Sequence, residues 1–387
     1  MKDKFEYRKL KRTCPICCGN QASFLGTLNA TLFAENPLPS HWDIMSCNHC
    51  DFIFCDGDFT NKTLEEYYAT EGDYWEDAED MYDPVADRVD NPLEILYEYI
   101  NSTDSKILDV GCGSGNLLQK FHKKGYTDLY GTDLGYIEKK GQDINFKKGD
   151  IYNIPFDKKF DVIISTHVLE HLYDINKAVA SLVNSLEDEG ILYLEVPDTE
   201  RYFTENFTRI VSAAYEHINF FTGYNLNQLL TKYNMKIIST TKTHAKYGIS
   251  EVPCIAIVAQ KTNSNKSVVT FSPVKCAEKF YSSLKNINFK IKPADIKGKY
   301  IYVWGITRYL QIALHYLDLN KHNLAGLIDS SHARRRNTIP GITNFLPDHL
   351  KDAPDNTVVL INAFNAVEPI KEQLKELGFK GEVYSIW

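Results

Sequence analysis

The chain has 387 residues, of which 43% are hydrophobic and 24% are charged, and its formal net charge at pH 7 is −8. That length suffices for two or three domains, each with its own buried core. The negative charge argues against nucleic acid as a partner, because nucleic acid attracts proteins with a basic face. No apolar run approaches the roughly 20 residues that a membrane helix needs. The opening stretch, MKDKFEYRKLKR, lacks the apolar core of a secretory signal, so we expect a cytoplasmic protein without a membrane segment.

Composition and patterning divide the chain into four segments. Residues 1–60 are rich in cysteine, and residues 61–100 are acidic and aromatic and end in a predicted helix. Residues 101–262 alternate strand-like and helix-like stretches, which predicts a parallel α/β sheet. The polar stretch KTNSNKSVV then reads as a linker to a second α/β series over residues 270–387.

Two Cys-x-x-Cys pairs stand in the first segment: Cys14 and Cys17 in CPIC, and Cys47 and Cys50 in CNHC. Four thiolates with this spacing suit a tetrahedral Zn²⁺ ion. Because all four ligands would be thiolates, no coordination position stays open and the metal would be structural. The alternative is a pair of disulfides, which a reducing cytoplasm disfavours.

The stretch KILDVGCGSGN predicts a strand, a glycine-rich turn and the start of a helix. Asp109 stands at the strand end, and Gly111, Gly113 and Gly115 alternate through the turn. A dinucleotide-binding loop has a third glycine where this chain has Asn116. An acidic residue at the entrance of the loop favours a ligand with positive charge. S-adenosylmethionine fits, since it carries a sulfonium and an ammonium and no phosphate.

Further features follow at about 20-residue spacing. The next strand ends in Asp133, followed by Leu134, and this aspartate is placed to accept hydrogen bonds from a ribose diol. Asp150 and Ile151 come next, where a carboxylate would bind the adenine amino group and an aliphatic side chain would flank the ring. The fourth strand ends at His167, at the edge of the sheet where open α/β sheets bind ligands. The ribose aspartate alone also fits NAD, so an NAD or nucleotide fold is the alternative.

Residues 95–260 resemble the class I S-adenosylmethionine-dependent methyltransferases. The resemblance lies in the motif ILDVGCGSG and in HVLEHL after the fourth strand. The resemblance implies an α/β fold with a seven-stranded sheet, whose last strands, about 236–242 and 254–260, form an antiparallel pair. The order of segments resembles the zinc-containing nucleotide-sugar C-methyltransferases, which methylate a 4-keto sugar attached to a nucleoside diphosphate. That resemblance implies an N-terminal zinc module and a smaller, Rossmann-like C-terminal domain that helps to hold the nucleotide.

The same resemblance implies a catalytic pair in AAYEHINFF, with His217 as the base and Glu216 in support. Methylation at carbon requires loss of a proton next to a carbonyl, and histidine suits this task because its free pKa is about 6.5. The alternative is a histidine that only shapes the pocket. His167 would orient the substrate or line the cofactor pocket. In the aromatic segment, Tyr74 is favoured over its neighbours as the tyrosine that lies over the sugar.

Two other polar stretches have simpler interpretations. Glu170 and His171 in LEHL are expected to be structural residues at the start of a helix. Arg334, Arg335 and Arg336 form either a site for a substrate diphosphate or a solvated basic turn.

The sequence therefore predicts a zinc-containing S-adenosylmethionine-dependent methyltransferase for a nucleotide-linked sugar. The alternatives are a sugar O-methyltransferase of capsule or lipopolysaccharide synthesis and a scaffold protein with an inactive methyltransferase fold. A nucleic-acid methyltransferase is disfavoured, because STHVLEH stands where such enzymes have an Asn/Asp-Pro-Pro-aromatic motif for a flipped base. The sequence does not identify the sugar, the nucleotide or the oligomeric state.

Overall fold

The computed structural model describes most of the chain in three sheets and the helices around them. The described residues are 6–71, 90–135, 143–203, 215–247, 250–262, 269, 271–287, 289–319, 323–363 and 366–387. Among them, no helix is both long enough and apolar enough to cross a membrane.

The N-terminal part forms an antiparallel sheet followed by two helices. Its elements are β1 (Glu6–Lys9), β2 (Gln21–Asn29), β3 (His41–Cys47), β4 (Ile53–Asp56), α1 (Asn61–Glu71) and α2 (Asp90–Leu96). The first Cys-x-x-Cys turn lies between β1 and β2, and the second lies between β3 and β4. Antiparallel pairing of β2 with β3 therefore brings the two turns to the same end of the sheet.

The central part is a mixed, seven-stranded sheet with helices. Its elements are β5 (Ile107–Val110), α3 (Asn116–Lys123), β6 (Leu129–Asp133), β7 (Asn145–Lys148), β8 (Phe160–Thr166), α4 (Ile175–Ser185), β9 (Leu186–Pro197), β10 (Asn219–Phe220), α5 (Gly223–Thr231), β11 (Met235–Tyr247) and β12 (Ser250–Lys261). The strand order is β11-β12-β9-β8-β5-β6-β7. All four residues of β5 are buried, as expected for a central parallel strand covered on both faces. The predicted seven-stranded sheet and its final antiparallel pair are confirmed.

Strand β10 is not part of this central sheet. It pairs with β4 in antiparallel register and becomes the fifth strand of the N-terminal sheet. The backbone N–H of Cys55 extends the pairing by donating to the carbonyl of Ile218 at 2.9 Å. The segment just before β10 is thereby fixed against the N-terminal sheet.

The C-terminal part is a second parallel sheet. Its elements are α6 (Ala277–Lys285), α7 (Pro293–Ile296), β13 (Tyr300–Trp304), α8 (Leu310–Tyr316), β14 (Leu324–Ile328), β15 (Asn344–Phe345), β16 (Thr357–Ile361), α9 (Val367–Glu376) and β17 (Glu382–Ser385). The order β15-β14-β13-β16-β17 places the first strand between β14 and β16. The chain thus leaves β13 in one direction and later returns to its other side, which creates a topological switch point at the carboxyl end of β13.

The hydrophobic cores cross the boundaries between these parts. One core joins the N-terminal sheet to the C-terminal unit, and the rings of Phe220 and Phe280 meet within it at a centroid distance of 4.7 Å. Another core joins the cysteine turns to helices α4 and α5 of the central part. The three parts are therefore packed on one another through buried apolar surface, which is the main favourable contribution to such contacts.

Candidate active site

The glycine-rich loop lies at the carboxyl edge of the central sheet, between β5 and α3. Gly111, Gly113 and Gly115 all have positive φ angles, of 81°, 48° and 76°. A Cβ atom on Gly111 would lie 2.3 Å from Val168 Cγ2, and one on Gly115 would lie 2.4 Å from Phe146 Cζ. Glycine at these positions therefore permits both the turn and the close approach of the neighbouring segments.

Asp133 connects the loop to the end of β6. Its Oδ2 accepts the N–H of Gly113 and its Oδ1 accepts the N–H of Gly135, each at 2.9 Å. Leu134 is half-buried beside it. This arrangement holds the carboxylate at the edge of the sheet, next to the glycine loop.

Asp150 makes a turn of its own after β7. Its Oδ1 accepts the backbone N–H groups of Tyr152 at 2.6 Å and Asn153 at 2.8 Å. Asn153 Nδ2 lies 3.5 Å from the second oxygen, Oδ2. The side chain of Ile151 is buried. The adenine-binding role predicted for Asp150 and Ile151 stays a prediction.

Asp109 is the buried carboxylate of the loop, with only 3% of its surface exposed. Its Oδ1 has no hydrogen-bond partner in the described part of the chain, nor does the hydroxyl of Ser114 in the same loop. Burial, with a smaller effect from the negative charge of Asp133, raises the pKa of Asp109 to about 7. Unpartnered buried polar atoms beside a glycine cradle suit a polar, cationic ligand, and S-adenosylmethionine fits these residues.

His167 follows β8 with a φ of 54°, a left-handed conformation that is uncommon outside glycine. Its Nδ1 lies 3.3 Å from Glu170 Oε1 and its Nε2 lies 3.5 Å from Glu195 Oε1. Both carboxylates are almost fully buried. Each ring nitrogen of His167 therefore faces a buried carboxylate at the end of β8.

Segment 215–218, which carries the predicted catalytic pair, is held by the N-terminal sheet. The indole Nε1 of Trp42 donates to the carbonyl of Tyr215 at 2.9 Å, and the Cys55 thiol lies 3.6 Å from the carbonyl of His217. From the central part, the carbonyl of Glu170 accepts the N–H of Ile218 at 2.9 Å. The position of His217 therefore depends on two sheets.

His217 belongs to a compact acid–base cluster. One carboxylate oxygen of Glu170 and one ring nitrogen each of His171 and His217 all lie within 4.8 Å of one another. The two imidazole rings meet edge to face at a centroid distance of 4.6 Å. The hydroxyl of Tyr68, on α1, lies 2.6 Å from His171 Nδ1. We call these four residues, together with Glu216, the His217 cluster.

Burial determines the protonation of the two histidines in this cluster. Desolvation lowers the pKa of His217 to about 3, with a smaller contribution from His171, and it lowers the pKa of His171 as well. Both imidazoles are therefore neutral at pH 7. The adjacent carboxylates of Glu170 and Glu216 act in the opposite direction and favour the protonated ring. A neutral histidine can accept a proton, and the two carboxylates offset part of the desolvation that disfavours its cation.

Glu216 reaches the C-terminal unit. One of its carboxylate oxygens, Oε1, pairs with a guanidinium nitrogen of Arg308, which follows β13. Burial would raise the pKa of Glu216, but the charge of Arg308 holds it below its ordinary value. The carboxylate is almost completely buried, whereas 38% of the Arg308 side chain is exposed.

The four predicted zinc ligands converge at one end of the N-terminal sheet. Their Sγ atoms all lie within 4.8 Å of one another, and the pairs Cys14–Cys50 and Cys17–Cys47 lie at 3.5 Å. A tetrahedral site with Zn–S bonds of about 2.3 Å requires sulfur separations of about 3.8 Å, so the thiols fit this metal. The second turn is docked on the central part, because Asn225 Nδ2 donates to the carbonyl of Cys50 at 3.1 Å.

The structure brings together part of the predicted site and adds residues to it. Glu216 and His217 adjoin Glu170 and His171, which the sequence suggested were only structural. Tyr74 lies outside the described residues, and Tyr68 makes the contact to the cluster. The repeated Glu-His dipeptide was the one available signal for the additional pair, whereas nothing near Arg308 indicated its partner.

Comparison with known proteins finds similarity for the central part of the chain. Residues 77–240 match the sequence model of a family described as "Methyltransferase domain". Ubiquinone biosynthesis O-methyltransferase of Rickettsia bellii is 28% identical over 116 residues, which cover 26% of this chain and 48% of that protein. The chain thus spans about half the length of this relative.

Two other methyltransferases are similar to a larger share of the chain. An uncharacterised methyltransferase of Staphylococcus carnosus is 27% identical over 178 residues, covering 44% of this chain and 80% of that protein. Among solved structures, magnesium protoporphyrin IX methyltransferase from Synechocystis is 15% identical with a TM-score of 0.41, and the match covers 52% of this chain and 100% of that one.

Proposed function

We propose that this protein, which carries a class I S-adenosylmethionine-dependent methyltransferase domain, transfers a methyl group to a carbon next to the keto group of a nucleotide-linked sugar. The His217 cluster is the observation that carries the proposal. It provides a neutral, half-buried base flanked by carboxylates on the segment after the fifth strand of the central sheet.

The glycine loop, Asp109 and Asp133 would hold the cofactor. When bound, S-adenosylmethionine supplies a methyl group that is already activated by the sulfonium. The remaining task of the protein is to align the acceptor and to remove its proton. His217 would take the proton, and the charges of Glu170 and Glu216 would offset part of the desolvation that disfavours the resulting imidazolium. Tyr68, hydrogen-bonded to His171, would lie at the rim of this site in place of the predicted Tyr74.

The C-terminal unit would hold the nucleotide of the acceptor. Asp329 follows β14, and its carboxylate accepts the N–H of Ile306 at 2.8 Å and the N–H of Ser331 at 3.0 Å. Asp133 has the same two kinds of contact, one to the loop after the neighbouring strand and one to its own residue i+2. This repetition supports a second nucleoside site, at the switch point of the C-terminal sheet. Arg334 and Arg336, in the turn beyond Asp329, would face the diphosphate.

Two further parts of the proposal concern metal and location. The four cysteines would bind one structural Zn²⁺ ion, since their Sγ atoms lie within 4.8 Å of one another and four thiolates can supply a tetrahedral ligand set. A cytoplasmic location follows from the reduced state that such a site requires, and it remains a prediction.

A second candidate is methyl transfer to oxygen. The Rickettsia relative is named as an O-methyltransferase, and so is the malonyl-[acyl-carrier protein] relative of Calditerrivibrio nitroreducens, which is 29% identical over 102 residues. A neutral histidine would also accept the proton of a hydroxyl group. The names of the relatives favour this candidate. No feature of the His217 cluster does.

Proton exchange distinguishes the two candidates. A 4-keto nucleotide sugar is incubated with the protein in heavy water without methyl donor, and deuterium on the ring carbon is measured by NMR. We expect exchange in the unaltered protein and its loss in His217→Gln. The control is His122→Gln, which changes an exposed histidine on α3. Methyl transfer to a hydroxyl group without ring exchange would overturn the carbon mechanism.

A further inference from the structure

The C-terminal unit contributes a charged group to the His217 cluster. Arg308 lies in the loop that follows β13, four residues beyond the strand end, and its guanidinium pairs with Glu216. The two residues are 92 positions apart in sequence, and they lie in loops next to different sheets. The planar guanidinium suits such a contact, because its donors are fixed in geometry and its charge persists at all ordinary pH values.

Contacts to backbone carbonyls fix the chain around Glu216, whereas an ion pair holds its side chain. Trp42 and Cys55 hold the carbonyls of Tyr215 and His217. The Glu216 carboxylate forms an ion pair with Arg308 of the C-terminal unit. A buried carboxylate that loses its cation becomes strongly unfavourable as an anion, and it then takes up a proton or moves.

We propose that Arg308 is a positioning residue of the candidate active site: it keeps Glu216 as a buried anion and thereby fixes the adjacent His217 in the orientation and protonation state that proton abstraction needs. The inference rests on the proposed function for its catalytic meaning. The interaction itself requires only the described geometry. It also gives the C-terminal unit a direct role in the chemistry, beyond holding part of the acceptor.

The charges around the cluster determine the direction in which its apparent pKa should change. Arg308 lies close enough to lower the pKa of His217 and of His171, and it holds down the pKa of Glu216. Removing this positive charge must make the cluster bind a proton more readily, either on Glu216 or on an imidazole. Since the groups are coupled, the measurable quantity is the apparent pKa of the cluster.

The experiment is an NMR titration of the full chain without cofactor or substrate. Histidine Cε1 and glutamate Cδ are labelled with ¹³C, and the signals of His217 and Glu216 are assigned by His217→Gln and Glu216→Gln. In the unaltered protein we expect neither signal to titrate between pH 5.5 and 8. In Arg308→Met we expect the apparent pKa of the cluster to rise into this range. Arg308→Lys, which keeps the charge, should titrate like the unaltered protein.

A double variant separates charge from packing. Arg308→Met combined with Glu216→Gln removes both charges, so the rise in apparent pKa should disappear, whereas a purely structural defect would persist or grow. Lys375→Met, which removes an exposed positive charge of the same unit, is the control and should not change the apparent pKa of the cluster. If Arg308→Met does not fold, Arg308→Gln replaces it.

Two results would overturn the inference: an Arg308→Met or Arg308→Gln titration identical to that of the unaltered protein, or a shifted titration that survives in the double variant. Failure of the proposed function is recognised separately. If the unaltered protein shows no ring-proton exchange, the proposed function fails. The titration result would still stand, because the titration is carried out without substrate.

Discussion

Asp109 is the clearest residue in this chain at which burial and ligand chemistry can be connected. It is buried at the entrance to the glycine loop, one of its oxygens lacks a partner among the described residues, and its pKa is raised to about 7. The bound cofactor would bring positive charge to this loop. A cation favours the ionised carboxyl group, so binding and proton release are linked.

We predict that S-adenosylmethionine binds more tightly as the pH rises through 7. If only the ionised form of Asp109 binds well, affinity should be about tenfold lower at pH 6 than at pH 8. Asp109→Asn should bind weakly with little pH dependence. Isothermal titration calorimetry in buffers of different ionisation enthalpy measures both the affinity and the released proton.

The control is Asp157→Asn, an exposed aspartate of the same domain, which should retain the pH dependence of the unaltered protein. Stability gives a second readout. The folded-state pKa of Asp109 lies above its unfolded value of about 3.9, so the folded chain binds the extra proton and loses stability as the pH rises from about 4 to 7. Asp109→Asn should remove that loss, and equal pH slopes in the two proteins would contradict the assignment.

Residues within one short segment could be predicted, whereas contacts between segments could not. The glycine loop follows from local spacing, since strand, turn and helix are consecutive. Tyr68 and His171 are 103 positions apart, and Arg308 is 92 positions from Glu216. One sequence contains no signal for such pairs, because their proximity depends on how three sheets pack.

At the scale of elements, β10 shows why the N-terminal sheet matters to the site. This two-residue strand adds to β4 and fixes segment 215–218. A two-residue strand has no periodicity, so sequence patterns predicted neither the strand nor its partner. The cysteine turns stand at one end of the same sheet, and they also contact α5 through Asn225. Metal binding should therefore influence segment 215–218 through the sheet.

We predict that loss of the metal loosens this segment before the central sheet unfolds. Zn²⁺ binding to four thiolates contributes directly to folding, so Cys14→Ser or chelation should destabilise the N-terminal sheet. Hydrogen exchange measured by mass spectrometry should show faster exchange at the amides of Cys55 and Ile218, while peptides of β5 stay protected.

Cys18→Ser is the matched control for this experiment, because Cys18 adjoins the first turn but is exposed and lies outside the four-sulfur group. It should retain one Zn²⁺ per chain by elemental analysis and exchange like the unaltered protein. A stable, metal-free chain with unchanged exchange at Ile218 would show that the cysteines do not bind a structural metal.

At the scale of the whole molecule, all three parts contribute residues to the His217 cluster or to its ion pair. The cores are shared between parts, and each part supplies a residue to the His217 cluster or to its ion pair: Tyr68, His217 and Arg308. The two α/β sheets could be predicted from their alternation of elements, whereas the N-terminal antiparallel sheet could not. Their mutual packing could not, because it depends on buried apolar faces that look alike in sequence.

The central and C-terminal sheets share one hydrogen-bonding arrangement. Asp133 ends β6 and Asp329 follows β14, and each accepts one N–H from the loop after the neighbouring strand and one from residue i+2. A carboxylate held this way keeps lone pairs available for a ribose diol. If the repetition reflects two nucleoside sites, the two aspartates should have separable ligands.

We therefore predict reciprocal effects of two conservative substitutions. Asp133→Asn should weaken S-adenosylhomocysteine by on the order of 2 kcal/mol, about 30-fold, because charge-assisted hydrogen bonds to the diol are lost. It should leave the binding of uridine or thymidine diphosphate unchanged. Asp329→Asn should weaken the nucleoside diphosphate to a similar extent and leave S-adenosylhomocysteine unchanged. Each variant is thus the control for the other in calorimetry. Nucleoside diphosphate binding that survives Asp329→Asn would remove this aspartate from the site, and loss of both ligands in either variant would indicate damage to the fold.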